Sequence, residues 1–165
     1  MKIRQTSTDK IRGKLVKYKL GDCFAIKLRN GNYLGAIMTG KFNAFYNLTF
    51  IEFYASLKPT FEDFAEGRFF GTRFGSLEEI KYAVEQRMIK CKYVDDNIDI
   101  ESVGSLDLIS DLMSAGYAYL DNIDEMHDVY TDELPTRIEK TKNAEVFPEI
   151  GFVSKHLIGI KFIAE

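Results

Sequence analysis

The stretch Gly21 to Ile37, GDCFAIKLRNGNYLGAI, constrains the fold more than any other part of the chain. Phe24, Ile26 and Leu28 alternate with Cys23, Ala25 and Lys27, the period-two pattern of a strand that buries one face. Asn30-Gly31 then supplies the positive φ that a tight hairpin turn needs. Tyr33 to Ile37 reads as the return strand. Gly35 lies inside it, which predicts a bulge or a close backbone approach. The chain therefore opens into antiparallel sheet.

The run Gly21-Asp22-x-Phe24-Ala25-Ile26-x-Leu28-x-Asn30-Gly31-x-Tyr33 resembles the opening of the immunity protein 26 family of bacterial polymorphic toxin systems. The resemblance spans residues 17 to 38. It implies a protein that binds and neutralises a toxin made by the same or a related cell. The motif belongs to the start of a fold and contains no catalytic signature, so it assigns no role to an individual residue.

After the hairpin, Lys41 to Ala55 is rich in aromatic and β-branched residues and predicts a strand. Eleven aromatics fall between Phe42 and Phe74. Such a cluster can stack nucleobases, but Lys41, Lys58, Arg68 and Arg73 are balanced here by Glu52, Glu62, Asp63 and Glu66. A phenylalanine-built core is the better reading. Thr60 caps a short helical turn over Phe61 to Phe64, Gly67 stops it, and Arg68 to Phe74 is a further short strand. Ser76 and Glu79 have capping-box spacing, and Leu77, Ile80, Ala83, Val84 and Met88 follow at helical intervals. This pattern predicts a helix over 76–87, then a strand from Met88 to Val94. Ser105 and the stripe Leu106, Ile109, Leu112 and Met113 predict a second helix over 105–115, ended by Gly116. Tyr117 to Leu120 is a short strand or extended connector. Residues 121–149 read as polar and irregular, broken by Pro135 and Pro148, and Leu157 to Ile163 as a buried terminal strand. The fold expected is α+β: a bent antiparallel sheet or partly closed barrel, opened by the hairpin, with two helices packed on it.

A chain of 165 residues fits one domain, 1–165, and its 45% hydrophobic content excludes disorder. The N-terminal MKIRQTSTDKIRGK has charges but no apolar leader core. No run approaches the roughly 18 apolar residues of a membrane span. A soluble, cytoplasmic protein is expected. Lys2, Arg4, Lys10, Arg12, Lys14, Lys17 and Lys19 make a basic arm, yet the net charge is -3, which argues against a nucleic-acid partner. The asymmetry lies elsewhere. Residues 95–133 hold twelve carboxylates and no Lys or Arg, leaving 22 basic against 13 acidic residues in the rest. Such a window attracts a cationic partner if its charges converge. The partner expected is a cognate toxin domain with a cationic surface, and Asp121, Asp124, Asp128 and Asp132 are the candidate contacts. A small β-barrel module binding nucleic acid or a small ligand is the alternative.

No constellation for bond chemistry is present. There is no G-x-S-x-G, no glycine-rich phosphate loop and no local Cys-His signature. Asp95, Asn97 and Asp99 begin like a calcium loop, but Ile100 stands where glycine belongs and Leu106 where a bidentate Glu is needed. His127 and His156 lie in no metal-binding pattern, and His127 reads as an exposed polar residue beside Asp124, Glu125 and Asp128. Cys23 and Cys91, each in an expected strand, read as reduced buried thiols. No enzyme activity, cofactor or metal is expected.

Overall fold

A computed structural model describes residues 10–11, 14–15, 17–76, 79–108, 113–114, 118–137, 139 and 151–156. The protein is α+β, built on an open five-stranded antiparallel sheet that does not close into a barrel. In chain order the strands are β1 (Lys10–Ile11), β2 (Lys14–Leu15), β3 (Asp22–Lys27), β4 (Tyr33–Phe42) and β5 (Phe45–Ala55). Helix α1 (Phe61–Ala65) follows, then β6 (Gly71–Ser76), β7 (Glu79–Val84) and β8 (Gln86–Lys90). Helix α2 (Cys91–Asp95), β9 (Ile100–Ser105) and β10 (Met113–Ser114) come next. The main sheet has the order β8-β5-β4-β3-β9; β10-β7-β6 form a second sheet and β1-β2 a small ribbon.

The expected hairpin is β3–β4, in register from Cys23 opposite Ile37 to Lys27 opposite Tyr33. Its turn runs through Arg29-Asn30-Gly31, closed by Gly31 N–H donating to the Leu28 carbonyl at 2.9 Å. Positive φ falls on Gly31 alone, at 92°, as in a three-residue hairpin loop that ends on a left-handed glycine. Gly35 meets both expectations. The β4–β5 register shifts between Leu34 and Ala36, and a Cβ at Gly35 would sit 2.9 Å from Ile51 Cδ1 and 3.0 Å from Phe64 Cζ.

Period-two alternation sends side chains to two cores, one on each face of the sheet. Phe24, Ile26, Leu34, Met38, Tyr46, Leu48, Phe50 and Ile89 join one core with Phe70, Met126 and Tyr130. Cys23, Ile37, Ile51, Phe64, Phe69, Leu106 and Val153 form the other. Tyr46, Phe50, Phe64, Phe69 and Phe70 are all fully buried, so the core reading holds for these members of the aromatic cluster. Thr60 caps α1 as expected: the Asp63 carboxylate accepts from Thr60 N–H at 2.7 Å and from its hydroxyl at 3.1 Å. Gly67 follows because a Cβ there would lie 2.2 Å from the Asp63 carbonyl oxygen.

Neither expected helix is found among the described residues. Of 76–87, Ser76, Glu79–Val84 and 86–87 lie in strands: β6 pairs with β7 from Gly71 opposite Val84 to Ser76 opposite Glu79; residues 77–78 lie outside the described ones. Ser-x-x-Glu is the spacing of a capping box, but it is equally the spacing of the last cross-strand pair of a hairpin. Ile80, Tyr82 and Val84 also alternate with period two, and pairing decides between the two patterns. Over 105–115, Ser105 ends β9 opposite Asp22, and Met113–Ser114 pairs in parallel with Ala83–Val84; residues 109–112 lie outside the described ones. The strand expected over Met88–Val94 ends at Lys90, where α2 begins, so Cys91 opens a helix. Tyr119 makes the expected extended contact, a parallel bridge to Met88. The expected terminal strand, Leu157 to Ile163, lies outside the described residues.

Of the stretch 121–149 expected to be irregular, 123–137 is helical, and 138 and 140–149 lie outside the described residues. A 3-10 turn at Ile123–Glu125, helix α3 (Met126–Asp128), a π turn at Val129–Glu133 and α-helix over 134–137 run on without a break. Pro135 lies within this run. A proline there has no N–H to donate and crowds the preceding turn, and the turn before it is the widened π turn.

Candidate interaction surface

The helical segment is set by two interleaved stripes. Ile123, Met126, Tyr130 and Leu134 are buried in the larger core, spaced three, four and four residues apart. Asp121, Asp124, Asp128 and Asp132 have the same spacing two positions earlier. Two residues turn a helix by about 200°, so burying one stripe turns the other toward solvent. Asp121, Asp128 and Asp132 are exposed, as is Glu125. Among the described residues none of these four has a cation within ion-pair distance.

Tyr130 is the main anchor. It is 2% exposed, and its hydroxyl donates to the Ile51 carbonyl at 2.7 Å. Its ring packs edge-on to Phe70 at 4.9 Å and stacks on Tyr54 at 5.6 Å. Burial, reinforced by Glu85 and Glu52, pushes its phenol well above the ordinary range. Arg137 fastens the far end. It lies over the Phe70 ring at 4.9 Å and donates to the buried Glu85 carboxylate at 2.5 Å and to Glu133 at 2.7 Å. Arg87 is the second cation on Glu85.

Asp124 is turned toward the protein. Its carboxylate accepts the Arg29 backbone N–H at 2.8 Å, and the Arg29 guanidinium stands 3.8 Å away. His127 is half-buried, not the fully exposed side chain expected. Its Nδ1 is 2.7 Å from the Tyr54 hydroxyl and 3.3 Å from Asn30 Nδ2. The segment is thereby tied to the tip of the β3–β4 hairpin.

The remaining carboxylates of the 95–133 window divide. Asp95 accepts from the Tyr46 hydroxyl at 2.6 Å and from Lys17 N–H at 3.3 Å. Asp96 pairs with Lys92, Glu101 with Lys58 and Glu133 with Arg137, all cations from outside the window. Asp99 and Asp107 are exposed, away from the helical segment in the chain. Asp111 lies outside the described residues; among the described ones, four of the window's six exposed carboxylates without an ion pair, Asp121, Glu125, Asp128 and Asp132, lie on 121–132.

Among the described residues no three His, Cys, Asp or Glu side chains converge to hold a metal. Of the calcium-loop residues, Asp95 accepts from the Tyr46 hydroxyl, and Asn97 Oδ1 accepts the Asp99 backbone N–H at 2.9 Å. Cys23 and Cys91 are free and buried, each in a different core. Burial, then nearby Asp95, pushes the Cys91 thiol up to about 12; burial and Asp22 push Cys23 above its ordinary range. No described helix is long and apolar enough to cross a membrane. No family model, curated protein or solved structure matches this chain.

The hairpin, its glycines and the α1 cap were readable from local chemistry. The helical segment was missed, although the spacing of Ile123, Met126, Tyr130 and Leu134 was a signal that could have found it. The His127–Tyr54–Asn30 cluster had no such signal, because its members are 73 and 97 residues apart from the histidine.

Proposed function

We propose that this chain is a cytoplasmic immunity protein that binds a cognate toxin domain and blocks its active surface by occlusion and charge complementarity. The observation that carries the reading is the row of outward carboxylates on a helical segment packed against the core. A toxin that acts on nucleic acid has a surface shaped for polyanions, and a fixed row of carboxylates complements such a surface. The resemblance of Gly21 to Tyr33 to the immunity protein 26 family supports the same class. Asp121, Asp128 and Asp132 are the proposed contacts. Asp124 belongs to the network beneath them, holding the segment to the hairpin. The reading needs no bond chemistry from this chain.

Coexpression provides the test. A toxin domain encoded beside the gene for this chain is expressed in a heterologous host, alone and with the chain. Growth arrest by the toxin alone and recovery with the chain are expected. Arrest that persists with the chain present as soluble, folded protein refutes the reading.

A further inference from the structure

We propose that Phe42, Phe45 and Tyr119 are the aromatic anchor of the partner interface, and that an arginine of the cationic partner seats between the Tyr119 ring and the Asp121 carboxylate. This rests on the toxin-binding reading above and adds to it a part of the surface outside the acidic row.

The three rings share one face at the turn end of the main sheet. Phe42 stands opposite Phe45 across the β4–β5 turn. Phe45 and Asn47 lie two residues apart in β5 and so project to the same side. Asn47 is opposite Met88, and Tyr119 bridges Met88 from the far edge. The Phe45 and Tyr119 rings meet edge-on, with centroids 5.0 Å apart. None of the three belongs to either core. A polar belt separates them from the smaller core on this face. Gln86 donates to the Thr49 hydroxyl at 2.8 Å, the hydroxyls of Thr49 and Thr39 share a bond of 2.8 Å, and Asn47 donates to Thr39 at 3.2 Å. Phe42 is 52% exposed and Tyr119 65%. The rings therefore add little to the interior, and adjoining exposed aromatics mark a contact surface.

The acidic row begins at this patch. Met88 N–H donates to the Ala118 carbonyl at 2.9 Å, and Leu120 N–H to the Met88 carbonyl at 2.8 Å, which holds 118–120 extended. Tyr119 is exposed, Leu120 buried and Asp121 exposed, so Tyr119 and Asp121 point to the same side. Glu125, Asp128 and Asp132 follow. Lys90, opposite Phe45, is an exposed cation on this face, so four outward carboxylates stand against one lysine. A ring beside a carboxylate suits arginine: the guanidinium plane stacks on the ring while its edge pairs with the carboxylate. Interfaces concentrate binding energy in aromatic and arginine anchors, whereas rim charges mainly set the association rate. The rings should accordingly govern how long the complex lasts, and the acidic row how fast it forms.

Surface plasmon resonance with the toxin domain encoded beside the gene for this chain separates the two roles. Tyr119→Ala and Phe42→Ala are each expected to dissociate at least about tenfold faster than wild type, with association rates within about twofold. Their melting temperatures should match wild type, and Tyr119→Phe, which keeps the ring, should dissociate like wild type. Dissociation of either alanine variant at the wild-type rate overturns the proposal and leaves the toxin reading in place. Failure of the wild-type chain to bind the toxin overturns both. A melting temperature well below wild type for either alanine variant would assign the rings to the fold and overturns the proposal. Sedimentation of the chain alone, and a gel shift with a labelled single-stranded oligonucleotide, address the other occupants. A wild-type dimer that Tyr119→Ala dissolves, or an oligonucleotide complex that it abolishes, would give the patch to a second copy or to nucleic acid, and either overturns the proposal.

Discussion

Truncating Tyr130 tests whether the buried stripe holds the segment in place. The ring is almost wholly buried and touches Phe50, Tyr54 and Phe70. Replacing such a side chain by alanine costs about 3–5 kcal/mol through lost transfer energy and the cavity left behind. Tyr130→Phe keeps the ring and removes only the hydroxyl that donates to Ile51 at 2.7 Å. That loss costs about 1–2 kcal/mol, because the carbonyl left behind is buried. For a chain of this size each kcal/mol moves Tm by roughly 2–4 °C. Tyr130→Phe should therefore melt about 2–8 °C below wild type and Tyr130→Ala about 6–20 °C below it. Asp128→Ala, two positions earlier and facing water, should stay within about 0.5 kcal/mol of wild type. Thermal unfolding followed by circular dichroism, with urea titration as a check, measures all three. If Tyr130→Ala unfolds with wild type, or if Asp128→Ala costs as much as Tyr130→Phe, the assignment of inward and outward faces is wrong.

Other consequences follow from the same geometry. Gly35→Ala places a methyl against Ile51 and Phe64 and should cost about 1–3 kcal/mol in urea unfolding, as overpacking does. Both thiols should stay unreactive toward an aromatic disulfide reagent in the native state at pH 8 and react on unfolding, since burial raises Cys91 to about 12 and moves Cys23 in the same direction. Burial raises the Glu52 carboxyl above its ordinary value, only partly offset by Arg68. The folded state then holds this proton more tightly than the unfolded one. Its contribution favours folding at low pH and is lost as pH climbs through the unfolded and then the folded pKa. Glu52→Gln should accordingly gain stability relative to wild type as pH rises above the ordinary carboxylate range, which a series of urea midpoints would show or disprove.

What was legible in the sequence was what local chemistry decides. Alternation at Phe24, Ile26 and Leu28 specified a strand, Asn30-Gly31 its turn, and Gly35 a point of close approach. Thr60 and Asp63 stand at the start of α1 for a reason that needs no tertiary context. Ser76 and Glu79 show the limit of such reasoning. The same three-residue spacing serves a helix cap and a hairpin end, and only pairing of β6 with β7 settles which. Residues 121–137 show another limit. Pro135 and the density of aspartates suggested irregular chain, yet the proline is accommodated by a widened turn and the aspartates follow the helical repeat. The acidic window divided in two ways: Lys92 meets Asp96 and Arg137 meets Glu133 four residues apart along one element, while Arg29 and Lys58 come from elements that only the fold brings near.

The outward carboxylates of the helical segment are proposed to draw in a cationic toxin domain. Association kinetics of the chain with the toxin domain encoded beside its gene, compared with Asp121→Asn/Asp128→Asn/Asp132→Asn at low and physiological salt, test it most directly. The triple variant should bind at least roughly tenfold more slowly at low salt, with a flatter salt dependence and an unchanged melting temperature. Equal association rates and equal salt dependence for the two proteins would contradict it.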